Sequence, residues 1–135
     1  MIEIYTDGAS RGNPGDSASS FVFVKNGIVF KFSSFYLGNA TNNIAEYRAI
    51  IFALEDALSS GFREVLLISD SELVISQING KYKVRAVHLK ELFEEVQEIA
   101  KRFSFIEFRH ERRKNKFIAV ADKLCNIMLD SVCLR

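Results

Sequence analysis

Apolar and polar residues alternate through Ile2-Glu3-Ile4-Tyr5-Thr6, and this β-rich run meets a turn signal at Asp7-Gly8, which predicts a first strand ending there. Gly12-Asn13-Pro14-Gly15 is a second cluster of turn residues. Two runs rich in Phe and Val, residues 20–25 and 28–37, predict strands joined at Asn26-Gly27. Asn-Gly between apolar runs is the strongest short hairpin signal, because both residues tolerate positive φ. The first three strands therefore form an antiparallel meander.

The period then changes. Ile44, Tyr47, Ile51, Leu54 and Leu58 step by three and four, which is one face of a helix. Thr41, Asn42 or Asn43 can cap its start and Gly61 can end it. Val65-Leu66-Leu67-Ile68-Ser69 is continuously apolar, as expected of a strand covered on both faces. A short helix over residues 71–79 follows, closed by Gly80, and a longer amphipathic helix is marked by Leu89, Leu92, Phe93, Val96, Ile99, Ala100 and Phe103. Residues 105–108 predict a last strand and residues 117–129 a last helix. The order is β-β-β-α-β-α-α-β-α. It predicts an α/β fold with a five-stranded mixed sheet, three antiparallel strands then two parallel, flanked by helices. The strand at Val65 is expected beside the first and parallel to it, which brings Asp7 and Asp70 to one edge. Ligands of open α/β sheets gather at the carboxyl ends of strands.

Composition adds boundaries. At 135 residues with 48% hydrophobic and 26% charged side chains, the chain is expected to form one unit over residues 1–135, without disorder or low complexity. Its apolar runs are too short for a membrane span, and the absence of a secretory signal leads to a cytoplasmic expectation, with a monomer and no membrane partner. Cys125 and Cys133 lack the His partners of a zinc site and are expected to be reduced. The net charge of +1 conceals an asymmetry: residues 1–80 hold five basic and nine acidic side chains, residues 81–116 eleven and six. Such a chain can hold a cation at one place and a polyanion at another, or simply carry its charges on solvated faces.

Four carboxylates stand out: Asp7, Glu46, Asp70 and Asp122. Each has an ordinary explanation as a turn residue, a helix cap, a partner of the helix dipole or a solvated helix residue. Together they suggest more. Neighbouring Asp7 and Asp70 would repel, and a cation between them would relieve that cost. Clustered hard oxygen ligands suit Mg²⁺ or Mn²⁺. Two such ions about 4 Å apart can hold the attacking and leaving oxygens of a phosphodiester substitution.

Three ordered segments carry a resemblance: TDGASRGNPG from Thr6, TNNIAEYRAI from Thr41 and ISDSELVISQINGKYKV from Ile68. At these spacings the chain closely resembles the ribonuclease H family, type 1, over nearly its whole length. The resemblance implies a ribonuclease H-like fold and metal-dependent hydrolysis of the RNA strand of an RNA–DNA hybrid, leaving 5′-phosphate and 3′-hydroxyl ends. It makes Asp7, Glu46, Asp70 and Asp122 the ligands of two ions in the presence of substrate. It further implies that Gly8, Ser10 and Asn13 run along the hybrid's minor groove, that Thr41, Asn42 and Asn43 meet the DNA strand and its phosphate, and that Ser71 lies near the Asp70 edge, as does Gln77. The alternative is a hybrid-binding module of the same fold without catalysis.

Three departures from the family pattern matter. The long basic, Trp-bearing handle of some members is missing, since residues 81–88 lead straight into the next helix; Lys81, Lys83, Arg85 and Lys90 remain as a source of phosphate affinity or as ordinary surface charge. The family's Asn-x-x-x-Asp becomes Asn115 followed by Asp122 seven positions later. Three extra residues within a helix rotate a side chain by about 60° and shift it by roughly 4.5 Å, whereas a loop that absorbs them leaves Asp122 in place; the loop is the expectation. His110, after the last strand, matches a loop His that assists proton transfer in some members, and it stands here as a candidate catalytic residue by that analogy, with a structural strand-end role as its alternative.

Overall fold

The structure is a computed structural model and describes residues 1–133, without the side chain of Cys133. Five strands, β1 (Ile2–Gly12), β2 (Gly15–Lys25), β3 (Ile28–Ala40), β4 (Glu64–Ser69) and β5 (Phe105–His110), alternate with four helices, α1 (Asn42–Ser59), α2 (Glu72–Ile78), α3 (Val87–Ala100) and α4 (Lys116–Cys133). The sheet order is β3-β2-β1-β4-β5. β1 pairs antiparallel with β2 and parallel with β4, and β4 pairs parallel with β5, so the mixed topology expected from the element order is the one observed.

The turn between β2 and β3 is the expected one, with Asn26 at φ 53° and Gly27 at φ 75°. The first strand differs from expectation. β1 does not stop at Asp7-Gly8 but runs on to Gly12, antiparallel to a β2 that begins at Gly15. What ends near Asp7 is the other neighbour: the last parallel pair of β1 and β4 is Thr6 with Ser69. The Asp-Gly pair lies within a strand because β2 supplies cross-strand partners on both sides of it, and local turn propensity yields to that pairing.

Alternation along the central strands fills two layers. Ile2, Ile4, Phe21, Phe23, Val65 and Leu67 pack with the inward faces of α1, α2 and α3. Tyr5, Val22, Val24, Leu66 and Ile68 face the other way, against Ile118 and Ala121 of α4. β4 is thus covered on both faces, the reason for its unbroken apolar run. Each fully buried Ile, Leu or Phe contributes about 1.5–3 kcal/mol, so these layers hold the sheet and its carboxyl edge in place.

Helix ends follow local chemistry. Thr41 caps α1, its Oγ1 accepting from the amide of Ile44, and Gly61 takes φ 89° just beyond the other end. Ser71 caps α2 by accepting from the amide of Val74, so the alternative reading of Asp70 as that cap does not hold and its carboxylate is left for other work. Among the described residues no helix is long and apolar enough to cross a membrane.

Candidate active site

The end of β4 organises the site. Ser69 pairs with Thr6 of β1 on one side and with His110 of β5 on the other. Asp7 and Asp70 are the residues that follow Thr6 and Ser69, so the parallel register brings both to one edge. α1 crosses β1 closely enough to add Glu46. Gly8 makes this approach possible: a Cβ there would lie 2.3 Å from the carbonyl carbon of Ala45 and 2.4 Å from the amide nitrogen of Glu46. The Gly8 amide donates to the Glu46 carboxylate, and the Ser69 hydroxyl donates to its Oε2 at 3.5 Å.

The result is a pocket in which Asp7, Glu46 and Asp70 each offer an oxygen within 4.8 Å of the others. Asp7 is fully buried, and neither of its carboxylate oxygens has a hydrogen-bond partner. Burial first, then the charges of Asp70 and Asp122, push its pKa up to about 8. Glu46, 4% exposed, is also raised well above the usual carboxylate range by burial and by Asp7 and Asp70, although the Gly8 and Ser69 donors oppose the shift. Three converging carboxylates, two of them buried and one without any donor, form a site that favours positive charge. The oxygen-only donor set fits a hard divalent cation.

Asp122 lies half-buried on α4, outside the group of three but close enough for its charge to raise Asp7. The loop expected to absorb the altered spacing does not do so. Asn115 is the cap of α4, its Oδ1 accepting from the amides of Phe117 and Ile118 at 2.9 and 3.2 Å, and every residue from Lys116 to Asp122 is helical. The extra residues are therefore helix, and Asp122 stands on the second turn.

The remaining expected residues divide by environment. Asn13 accepts from the Asn42 amide at 2.9 Å, tying the turn between β1 and β2 to the start of α1. Ser10 donates to the carbonyls of Ala40 and Gly12. Asn13 and Asn42 are exposed, Thr41 and Asn43 half-buried. Gly8 is buried beneath α1, against the backbone of Ala45 and Glu46, and pairs with Ser19 of β2. Ser71 caps α2. Gln77 is buried and accepts from the Tyr47 hydroxyl at 2.7 Å, an internal bond. His110 is the exposed last residue of β5, beside Ser69.

Three participants were not singled out from the sequence. Ser69 is a donor to Glu46 hidden within an apolar run. Arg113, counted in the sequence only among the eleven basic side chains of residues 81–116, reaches Asp70 Oδ2 with its Nε at 3.2 Å. Cys125 is buried behind the site, its Sγ 3.5 Å from the carbonyl of Asp7 and 3.3 Å from the Ser20 hydroxyl. Helical spacing from Asp122 places Cys125 on the same side of α4, the one signal for it in the sequence.

Known proteins share this fold. The family model described as reverse transcriptase-like matches residues 5–128. A ribonuclease HI of Halobacterium salinarum is 38% identical over 131 residues, covering 96% of this chain and 64% of its own length. A bifunctional protein of Mycobacterium tuberculosis is 36% identical over 133 residues; this chain spans 36% of that relative's length. Among solved structures, LC11-RNase H1 in complex with RNA/DNA hybrid superposes with a TM-score of 0.91 at 40% identity, covering 98% of this chain and 99% of that one. The chain belongs to the ribonuclease H family.

Proposed function

We propose that this chain is a metal-dependent endoribonuclease that hydrolyses the RNA strand of RNA–DNA hybrids and leaves 5′-phosphate and 3′-hydroxyl ends. The observation that carries the reading is the buried Asp7 carboxylate, without a hydrogen-bond donor and within 4.8 Å of Glu46 and Asp70 oxygens. A binding module would gain nothing from such a costly arrangement. The relatives named ribonuclease H and the hybrid-bound neighbour support the substrate.

Asp7, Glu46 and Asp70, joined by Asp122, would hold divalent cations, Mg²⁺ or Mn²⁺. Bound there, such ions supply a nucleophilic water at neutral pH and charge neutralisation at the leaving oxygen. The protein contributes placement. Ser69 and the Gly8 amide hold Glu46 in one orientation, and the rigid end of β4 holds Asp70. Exposed Asn13 and Asn42, with Thr41 and Asn43, line the approach from the α1 side and would meet the nucleic-acid backbone; Ser10 stands beside them on β1. Ser71 lies next to Asp70 and would approach the RNA strand there. His110, exposed at the same sheet edge beside Ser69, would move a proton at the departing group.

The test is cleavage of an end-labelled hybrid in Mg²⁺ or Mn²⁺, with single-stranded RNA and double-stranded DNA beside it. Wild type should cut the hybrid alone, Asp70→Asn should lose activity with an unchanged circular dichroism spectrum, and Asp122→Asn should be sharply impaired. Full activity in Asp70→Asn, or binding of hybrid with no cleavage by wild type, would overturn the reading.

A further inference from the structure

The pocket just described lacks donors for Asp7, yet one cation of the chain's own reaches it. The loop between β5 and α4, residues 111–115, is anchored at both ends: the Glu111 amide donates to the Ser69 carbonyl at 3.0 Å, and Asn115 caps α4 while its Nδ2 donates to Glu111 Oε1 at 3.1 Å. Arg113 stands at the middle of this clamp, its Nε donating to Asp70 Oδ2 at 3.2 Å. Arg112, Arg113 and Lys114 are all exposed.

We propose that Arg113 is a tethered counter-cation of the carboxylate pocket, held on Asp70 until a divalent ion takes that carboxylate. The inference rests on the reading that the pocket binds divalent ions. Three features favour it. The guanidinium is paired with Asp70, which is the least buried of the three clustered carboxylates and so the one an arriving ion meets first. The pair is lopsided, with the Asp70 side chain 10% exposed and that of Arg113 70% exposed, so the arginine swings into solvent at little desolvation cost while the carboxylate stays. The positive charge also reaches deeper, since Arg113 opposes the upward shift of the buried Asp7. An Arg side chain keeps its charge at every working pH, so its release depends on displacement by another cation rather than on a proton.

Ion binding would then be coupled to release of Arg113, and the loop arginine would set the concentration of metal the protein needs. The experiment is calorimetric titration of nucleic-acid-free protein with Mn²⁺, repeated with Mg²⁺ while the Arg Nε–H resonances are followed by NMR. Arg113→Gln should bind Mn²⁺ roughly two- to fivefold more tightly than wild type, the range expected for loss of one largely exposed ion pair. Arg113→Lys, which keeps the charge, should remain near wild type, and Arg112→Gln should change little. In wild type the Arg113 Nε–H resonance should shift in step with Mg²⁺ occupancy. Equal or weaker binding by Arg113→Gln, or an Arg113 resonance indifferent to Mg²⁺, overturns the proposal while leaving the metal site intact. Absence of Mn²⁺ binding in every variant overturns the metal reading and this inference with it.

Discussion

Ionised Asp7 has no donor to either oxygen, and that has a consequence for stability. Its pKa rises from an ordinary 3.8 to about 8 on folding. A carboxyl raised in this way contributes stability that is fully present below the unfolded value and lost as pH rises through the folded one. Glu46 shifts in the same direction. In chelator, the melting temperature of wild type should therefore fall between about pH 4 and pH 8, with a shallower fall in Asp7→Asn; equal slopes in thermal unfolding would contradict the assignment. Gly8 gives a second test at this scale. A methyl group there meets the α1 backbone at 2.3 Å, and backbone cannot give way as a flexible side chain does. Gly8→Ala should cost about 1–3 kcal/mol in urea unfolding, or more, and should lower cleavage by displacing Glu46. Asp7, Glu46 and Asp70 were legible because their motifs are local. Ser69 and Arg113 were not, since a serine at the end of an apolar strand and an arginine in a basic run acquire their roles only from what lies across from them.

At the scale of elements, the alternating and helical periods forecast all nine elements in order, and the disagreements concern ends. Residues 7–12 carry turn propensity yet extend β1, because β2 is there to pair with them. In the same way α4 runs unbroken from Lys116 through Asp122, where a loop was expected to absorb the extra spacing, since the Asn115 side chain satisfies two otherwise unpaired amides at its start. Asn115→Ala should therefore cost about 1 kcal/mol of stability. It should also reduce hybrid cleavage, because the helix it caps carries Asp122; denaturant unfolding beside a cleavage rate checks both. Loss of stability with an unaltered rate would show that α4 holds Asp122 without its cap.

Over the whole molecule, charge is divided between an acidic sheet edge and basic segments along residues 81–116. If Lys81, Lys83, Arg85 and Lys90 meet the phosphate backbone, affinity for a hybrid should fall linearly on a log–log plot against salt, and each charge removed should reduce the slope by roughly 0.7–0.9. Fluorescence anisotropy in Ca²⁺ or chelator, with Lys83→Gln and Lys90→Gln, measures it. Slopes identical to wild type would assign these side chains to the solvated surface.

Periodicity, turn chemistry and the three motif segments were enough to obtain the mixed sheet, its covered central strand and the carboxylates Asp7, Glu46 and Asp70, because each depends on short-range spacing. Tertiary structure alone decided where the pocket closes. The element order already placed Asp7 and Asp70 on one edge, but the bare Cα of Gly8 that lets α1 bring Glu46 down, and the loop from β5 that lays Arg113 on Asp70, exist only in the packed molecule. These are distances between residues far apart in the chain, which packing sets and no local pattern encodes.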